Sequence, residues 1–400
     1  MKRYLLHGIL FLILAGPVSL PFNAQAPEEL SGYQFKILTS LPATDVKNQY
    51  LSSTCWSFSI LSMLESELIR LGKYEYDLSE MFIVRHVYEE KAEKYVRMHG
   101  MINFSGGGFF HDVFHIISKY GIVPDEVYSG LIIGEENHVH TEMDKVLKSY
   151  VTDIIQNQKL TPVWYDGFVK LLDSYLGGLP EHFDYDGQSY TPLSFARMLD
   201  LNPDDYIQIS SFTHHPFYEQ FILEVPDNWA WGLVYNLPLD DMMAILYHAV
   251  ENGYTISWSA DISEKGFSWQ DGVAVVPETD LENLTSTDRE EWKNLTKNEM
   301  EKIMYSFKGP VPEKIITQEI RQVAFDNYTT TDDHGMHITG LAHDQLGNKY
   351  FLVKNSWGTT ISPYWGYLYV SDPYVRYKTI AITVNKNAIP VEIKKKIWPE

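Results

Sequence analysis

The stretch Gln49-Tyr50-Leu51-Ser52-Ser53-Thr54-Cys55-Trp56-Ser57-Phe58-Ser59 constrains this chain more than any other, because it holds the only cysteine. Ile60 to Gly72 follows it, with Phe58, Leu61, Leu64, Leu68 and Leu71 at helical spacing and Gly72 as a stop. Cys55 is therefore expected at or just before a helix N-terminus. Free N–H groups and the positive end of the helix dipole favour a thiolate there. The ordinary reading of a lone cysteine is a buried, inert thiol. Residues far along the chain favour a nucleophile instead.

A nucleophilic sulfur needs a base, an orienter for that base and donors for the oxyanion. Gln49 precedes Cys55 by less than two helical turns, so its amide can join the Cys55 N–H as a donor. His334 lies in Asp333-His334-Gly335-Met336, at the entrance to a strand. Asn355 lies in Lys354-Asn355-Ser356-Trp357-Gly358, at the end of another. Gly347-Asn348 between the apolar runs His337–Ala342 and Tyr350–Lys354 signals a hairpin. Such a hairpin brings His334 and Asn355 together, and the amide oxygen can fix the imidazole tautomer. His337 sits three positions further on, so strand alternation turns it to the opposite face.

These motifs resemble the papain family of cysteine peptidases in their order Gln, Cys, His, Asn and in the Gln-to-Cys spacing. Gly107 and Gly108, ahead of Tyr120-Gly121-Ile122, resemble that family's paired glycines, and Leu78-Ser79-Glu80 resembles its second-helix start. The closer likeness is to the bleomycin hydrolase and aminopeptidase C branch. It rests on a glycine cluster without neighbouring cysteines, a long insertion at about 126–243 and a His motif that runs into Met336. The resemblance implies catalytic Cys55, His334, Asn355 and Gln49, with the backbone of Gly107 and Gly108 binding substrate as an added strand. It implies an aminopeptidase acting on peptides without metal or organic cofactor. An inward-facing hexamer is also implied. Trp357 is expected to shield the His334–Asn355 bond. Two features depart from the branch, an export leader and the tail Lys394-Lys395-Lys396-Ile397-Trp398-Pro399-Glu400. They keep open an exported endopeptidase, and an inactive peptide-binding protein on the same fold is the remaining alternative.

Helices dominate the early chain and strands the late chain, which is an α+β pattern. The resemblance makes it a two-lobe fold, with the Cys helix in a helical lobe and His and Asn in a β-barrel-like lobe. Residues 27–400 are read as one peptidase domain. Within it, 27–45 reads as a surface lead-in and Glu282 to Phe307 as a charged helical connector. Lys2 and Arg3, the apolar run Leu5 to Ala15 and then Ala24-Gln25-Ala26 read as a signal peptide over 1–26, too short to span a bilayer. The expected location is periplasmic or secreted, with no stable membrane insertion once the leader is removed. A net charge of −21 disfavours nucleic acid as a partner. His111 and His115 share a helix face at i, i+4, but no third metal ligand stands near them. His214 and His215 read as structural.

Overall fold

A computed structural model describes residues 32–399, so the leader read at 1–26 lies outside the described residues. Strand β1 (Lys36–Ser40) comes first, followed by helices α1 (Cys55–Arg70), α2 (Glu80–Arg97), α3 (Phe110–Tyr120), α4 (Thr141–Ile154) and α5 (Val163–Leu176). A small hairpin, β2 (Phe183–Tyr185) with β3 (Gln188–Tyr190), leads into α6 (Pro192–Leu199). Local sequence sets these limits. The Ser79 side chain caps α2 by accepting from the Phe82 N–H, and Thr191 caps α6 with proline at the first turn.

Phe58, Leu61, Leu64 and Leu68 of α1 pack with Phe82, Ile83, Val113, Leu147 and Phe168 in the core of the helical lobe. Leu71 lies past the end of the helix and is exposed. The opposite face of α1 is buried as well, although it carries Ser59, Ser62, Glu65 and Ser66. Ser59 Oγ donates to the Met336 carbonyl at 2.6 Å, and Ser62 Oγ meets His337 Nδ1 at 2.9 Å. The seam between the lobes is thus hydrogen-bonded, as buried polar groups require. Burial pushes the Glu80 carboxyl up to about 8, against the pull of Lys47. Lys47 bridges Glu65, Asp77 and Glu80 and so ties the chain before the cysteine to α1 and α2.

The chain continues through β4 (Tyr206–Ser210), β5 (Gln220–Ile222), β6 (Leu233–Asn236), α7 (Leu239–Glu251), β7 (Ile256–Ala260), β8 (Phe267–Ser268) and β9 (Val273–Ala274). Helices α8 (Ser286–Trp292), α9 (Lys297–Met304) and α10 (Gln318–Asp326) come next. Then follow β10 (His334–His343), β11 (Lys349–Lys354), β12 (Tyr367–Ser371), α11 (Asp372–Lys378), β13 (Thr379–Asn385) and α12 (Val391–Ile397). The large sheet runs β5-β6-β4-β13-β7-β10-β11-β12-β9-β8, with β1 also on β10. It is open rather than closed into a barrel. Its core joins Trp258, Ile338, Val353 and Ile382 to Met242 and Leu246 of α7 and to Ile393 and Ile397 of α12.

The expected β10–β11 hairpin forms, in the register His337↔Lys354. The lead-in read as irregular contains β1, which pairs antiparallel with β10, Ile37 opposite Ala342. Its side chains stay mostly exposed, so the strand is held by backbone pairing and leaves little hydrophobic pattern. Residues 126–243 are shared between the lobes: α4 to α6 enter the helical core, while β4 to β6 join the large sheet and α7 packs on it. The connector forms α8 and α9, which close over a small cluster of Leu284, Trp292, Met300 and Met304. At the tail, Trp398 Nε1 donates to the Tyr235 hydroxyl at 2.9 Å and Lys396 pairs with Asp241. No helix among the described residues is long and apolar enough to cross a membrane.

Candidate active site

Cys55 is the first residue of α1, so its N–H has no partner within the helix. The residue is half-buried. A Cβ placed on Gly335 would lie 3.2 Å from the Cys55 carbonyl oxygen, so a side chain there would crowd the start of α1 against that of β10. His334 precedes that glycine, and the structure thereby brings the histidine motif against the cysteine. Burial pushes the thiol up to about 12, with Asp332 and Asp227 adding to the rise, while the nearby backbone N–H groups of Gly335 and Trp56 oppose it. The helix terminus was expected to favour the thiolate, but desolvation outweighs it.

His334 is buried, and burial lowers its imidazole to about 4 against the opposing effects of Asn355 and Asp333. Its Nε2 lies 2.7 Å from Asn355 Oδ1. That oxygen also accepts from the Ser356 N–H at 2.7 Å, which fixes it as the carbonyl end of the amide. Nε2 must then carry the proton, and Nδ1 is left as the basic nitrogen. Trp357, expected to cover this bond, stacks on the ring at 4.6 Å between centroids, and both His334 and Asn355 are buried. Trp269 meets Trp357 edge-on.

Gln49 is tied to the same strand end. Its N–H donates to the Ser356 carbonyl at 2.8 Å, and its Oε1 accepts from Ser356 Oγ at 2.6 Å. With Oε1 so placed, Gln49 Nε2 has no hydrogen-bond partner among the described residues. The next step of the chain changes lobes: Leu51 exchanges backbone bonds with His138 and His140, and Tyr50 between them takes φ 48°. Ser356 thus joins the oxyanion candidate to the imidazole's orienting amide. Sequence reasoning missed this role, because a serine between Asn355 and Trp357 carries no signal of its own.

The glycine cluster packs on the entrance to α1. Trp56 Nε1 donates to the Gly106 carbonyl at 3.1 Å. A Cβ on Gly108 would lie 2.7 Å from the Trp56 ring, so Gly108 is buried against that ring and Gly107 is the half-exposed member of the pair. Lys91 holds the turn by donating to the carbonyls of Ser105 and Gly107. The Asp227 carboxylate, which the sequence did not single out, lies directly over Gly107.

The other histidines singled out in the sequence lie beside polar groups of their own. His337 faces Ser62 and is held neutral, first by burial and then by Lys354. His111 lies beside Asp112 and His115 beside Glu90. His214, His215 and Glu224 have metal-ligand spacing among the described residues. There Gln322 Nε2 donates to His214 Nδ1, so the proton sits on Nε2 and points at Glu224. A metal would have to displace that bond.

No family model matches the chain. It is 22% identical to aminopeptidase C of Streptococcus thermophilus over 403 aligned residues, spanning 90% of this chain and 84% of that protein. It is 23% identical to aminopeptidase G of Lactobacillus delbrueckii subsp. lactis, over 60% of this chain and 64% of that protein. Its fold matches the crystal structure of PepW from Lactobacillus rhamnosis with a TM-score of 0.68 at 18% identity, covering 90% of this chain and 84% of that one. The chain thus shares its fold with PepW and is similar in sequence, over most of its length, to aminopeptidase C.

Proposed function

We propose that the chain is an aminopeptidase that removes N-terminal residues from peptides through Cys55, His334, Asn355 and Gln49. The names of its relatives support this reading. The observation that carries it is the 2.7 Å bond from His334 Nε2 to Asn355 Oδ1, beside a cysteine that heads a helix. In the reaction, Nδ1 of His334 takes the thiol proton as the sulfur attacks the scissile carbonyl carbon. The Cys55 N–H and Gln49 Nε2 hold the oxyanion. The C–N bond breaks as the imidazolium gives its proton to the leaving amine, and water then hydrolyses the thioester with His334 as base. Burial of His334 and Cys55 keeps each group neutral when alone, so charge separates only when the proton passes between them.

The test is a pair of substrates differing only at the amine, leucine p-nitroanilide and its N-acetyl derivative. The free amine is expected to be cleaved with about 100-fold higher kcat/KM, the margin that one well-placed charged hydrogen bond supplies. Equal rates would make the enzyme an endopeptidase.

The leader read at 1–26 makes this an exported enzyme, acting in the periplasm or outside the cell. Protein recovered from an exporting host is expected to begin at Pro27, and a mature N-terminus still at Met1 would refute export with cleavage.

A further inference from the structure

We propose that the Asp227 carboxylate anchors the free α-ammonium group of the substrate and is thereby the residue that selects for N-terminal cleavage. This inference rests on the aminopeptidase reading above and names the group that enforces it. Asp227 lies between β5 and β6 and reaches over the half-exposed Gly107 so closely that a methyl group there would collide with both carboxylate oxygens. Asn103 Nδ2 donates to its Oδ1 at 2.9 Å and sets its direction. Among the described residues Oδ2 has no hydrogen-bond partner, and no cation stands within ion-pair distance. The nearby ammonium of Lys91 is spent on the carbonyls of Ser105 and Gly107. A half-buried carboxylate with one oxygen unpaired and no cation beside it is an incomplete arrangement, and a cation completes it.

Position identifies the cation. Gly107 lies between Gly106, whose carbonyl holds the Trp56 indole, and Gly108, which packs on the Trp56 ring, and Trp56 follows the nucleophile. Asp227 is also near enough to Cys55 and Asp332 to act on the charge of both. In a substrate whose first residue is to be removed, the amine nitrogen lies only about 2.5 Å from the scissile carbonyl carbon. A carboxylate at the glycine turn therefore meets that amine, not a distant side chain. The same carboxylate occupies the space a longer peptide would need along Gly107, so it rejects N-terminal extensions while it attracts the free amine.

The experiment compares wild type with Asp227→Asn, which keeps the size of the side chain and the acceptor for Asn103. Leucine p-nitroanilide and N-acetyl-leucine p-nitroanilide are the substrates, and iodoacetamide labelling of Cys55 confirms a folded site. The ratio of kcat/KM for free over acetylated substrate is expected to fall about 10- to 100-fold, mainly through KM for the free amine. A wild-type ratio in Asp227→Asn overturns the anchor and leaves the aminopeptidase reading standing. A wild type without preference for the free amine overturns that reading and the anchor with it. Should Asp227→Asn fail to fold, Asn103→Ala releases Asp227 from its orienting bond, and the same ratio is expected to fall. An unchanged ratio there overturns the anchor.

Discussion

Replacement of Cys55 by serine is expected to abolish peptide hydrolysis, with a loss of about 10⁴-fold or more in kcat. The substitution keeps shape and packing, so the thermal midpoint is expected to stay close to wild type. Burial already raises the thiol to about 12, and a hydroxyl in the same setting is a far weaker acid. The loss belongs in kcat, because neither Gly107 nor Asp227 changes and substrate binding persists. Cys55 is the only cysteine, so loss of iodoacetamide labelling reports on this atom alone. Hydrolysis by Cys55→Ser within tenfold of wild type would remove the sulfur from the mechanism.

Replacement of His334 by alanine is expected to produce a similar loss, and its signature lies in the pH dependence of thiol alkylation. The buried thiol is neutral below about 12 when it has no base beside it. The buried imidazole, lowered to about 4, is neutral at pH 7 and able to accept a proton. In the proposed mechanism the proton passes to Nδ1 as the sulfur attacks, so thiolate character arises at neutral pH only with the ring beside it. Without the ring, thiolate appears only as pH approaches the thiol's own raised value. Alkylation of Cys55 in His334→Ala is therefore expected to be about 100-fold slower at pH 7 and to rise steadily into the alkaline range. An alkylation profile matching wild type would show that His334 is not the base.

The geometry of the candidate site was legible because it is written in short strings whose partners have narrow requirements. Cys55 ahead of an apolar helical stripe, His334 at a strand entrance and Asn355 after a hairpin each announce a place in the fold. The Gly347-Asn348 turn fixed how the last two meet. What escaped was written in pairs of distant residues. Strand β1 is mostly exposed and gains its identity only from β10. Strands β4 to β6 fall within the stretch read as an insertion, since nothing near Tyr206 reveals that β13 lies alongside β4. Asp227 matters through Gly107 and Asn103, and no local pattern links these three. The thiol's acidity was misjudged for a related reason: a helix end is visible in the sequence, whereas the depth of its burial is not.

Gln49 stands shortly before Cys55 in the chain, yet its hydrogen bonds go to Ser356 at the end of β11 in the large sheet. Ser356 clamps it to the strand end that carries Asn355, and Leu51, just beyond the Tyr50 turn, is moored to the segment around His138. Lys47, two residues before Gln49, is bonded to α1 and α2, so this short segment staples the helix that begins at the sulfur to the strand end that carries the imidazole's amide, on both sides of the oxyanion donor.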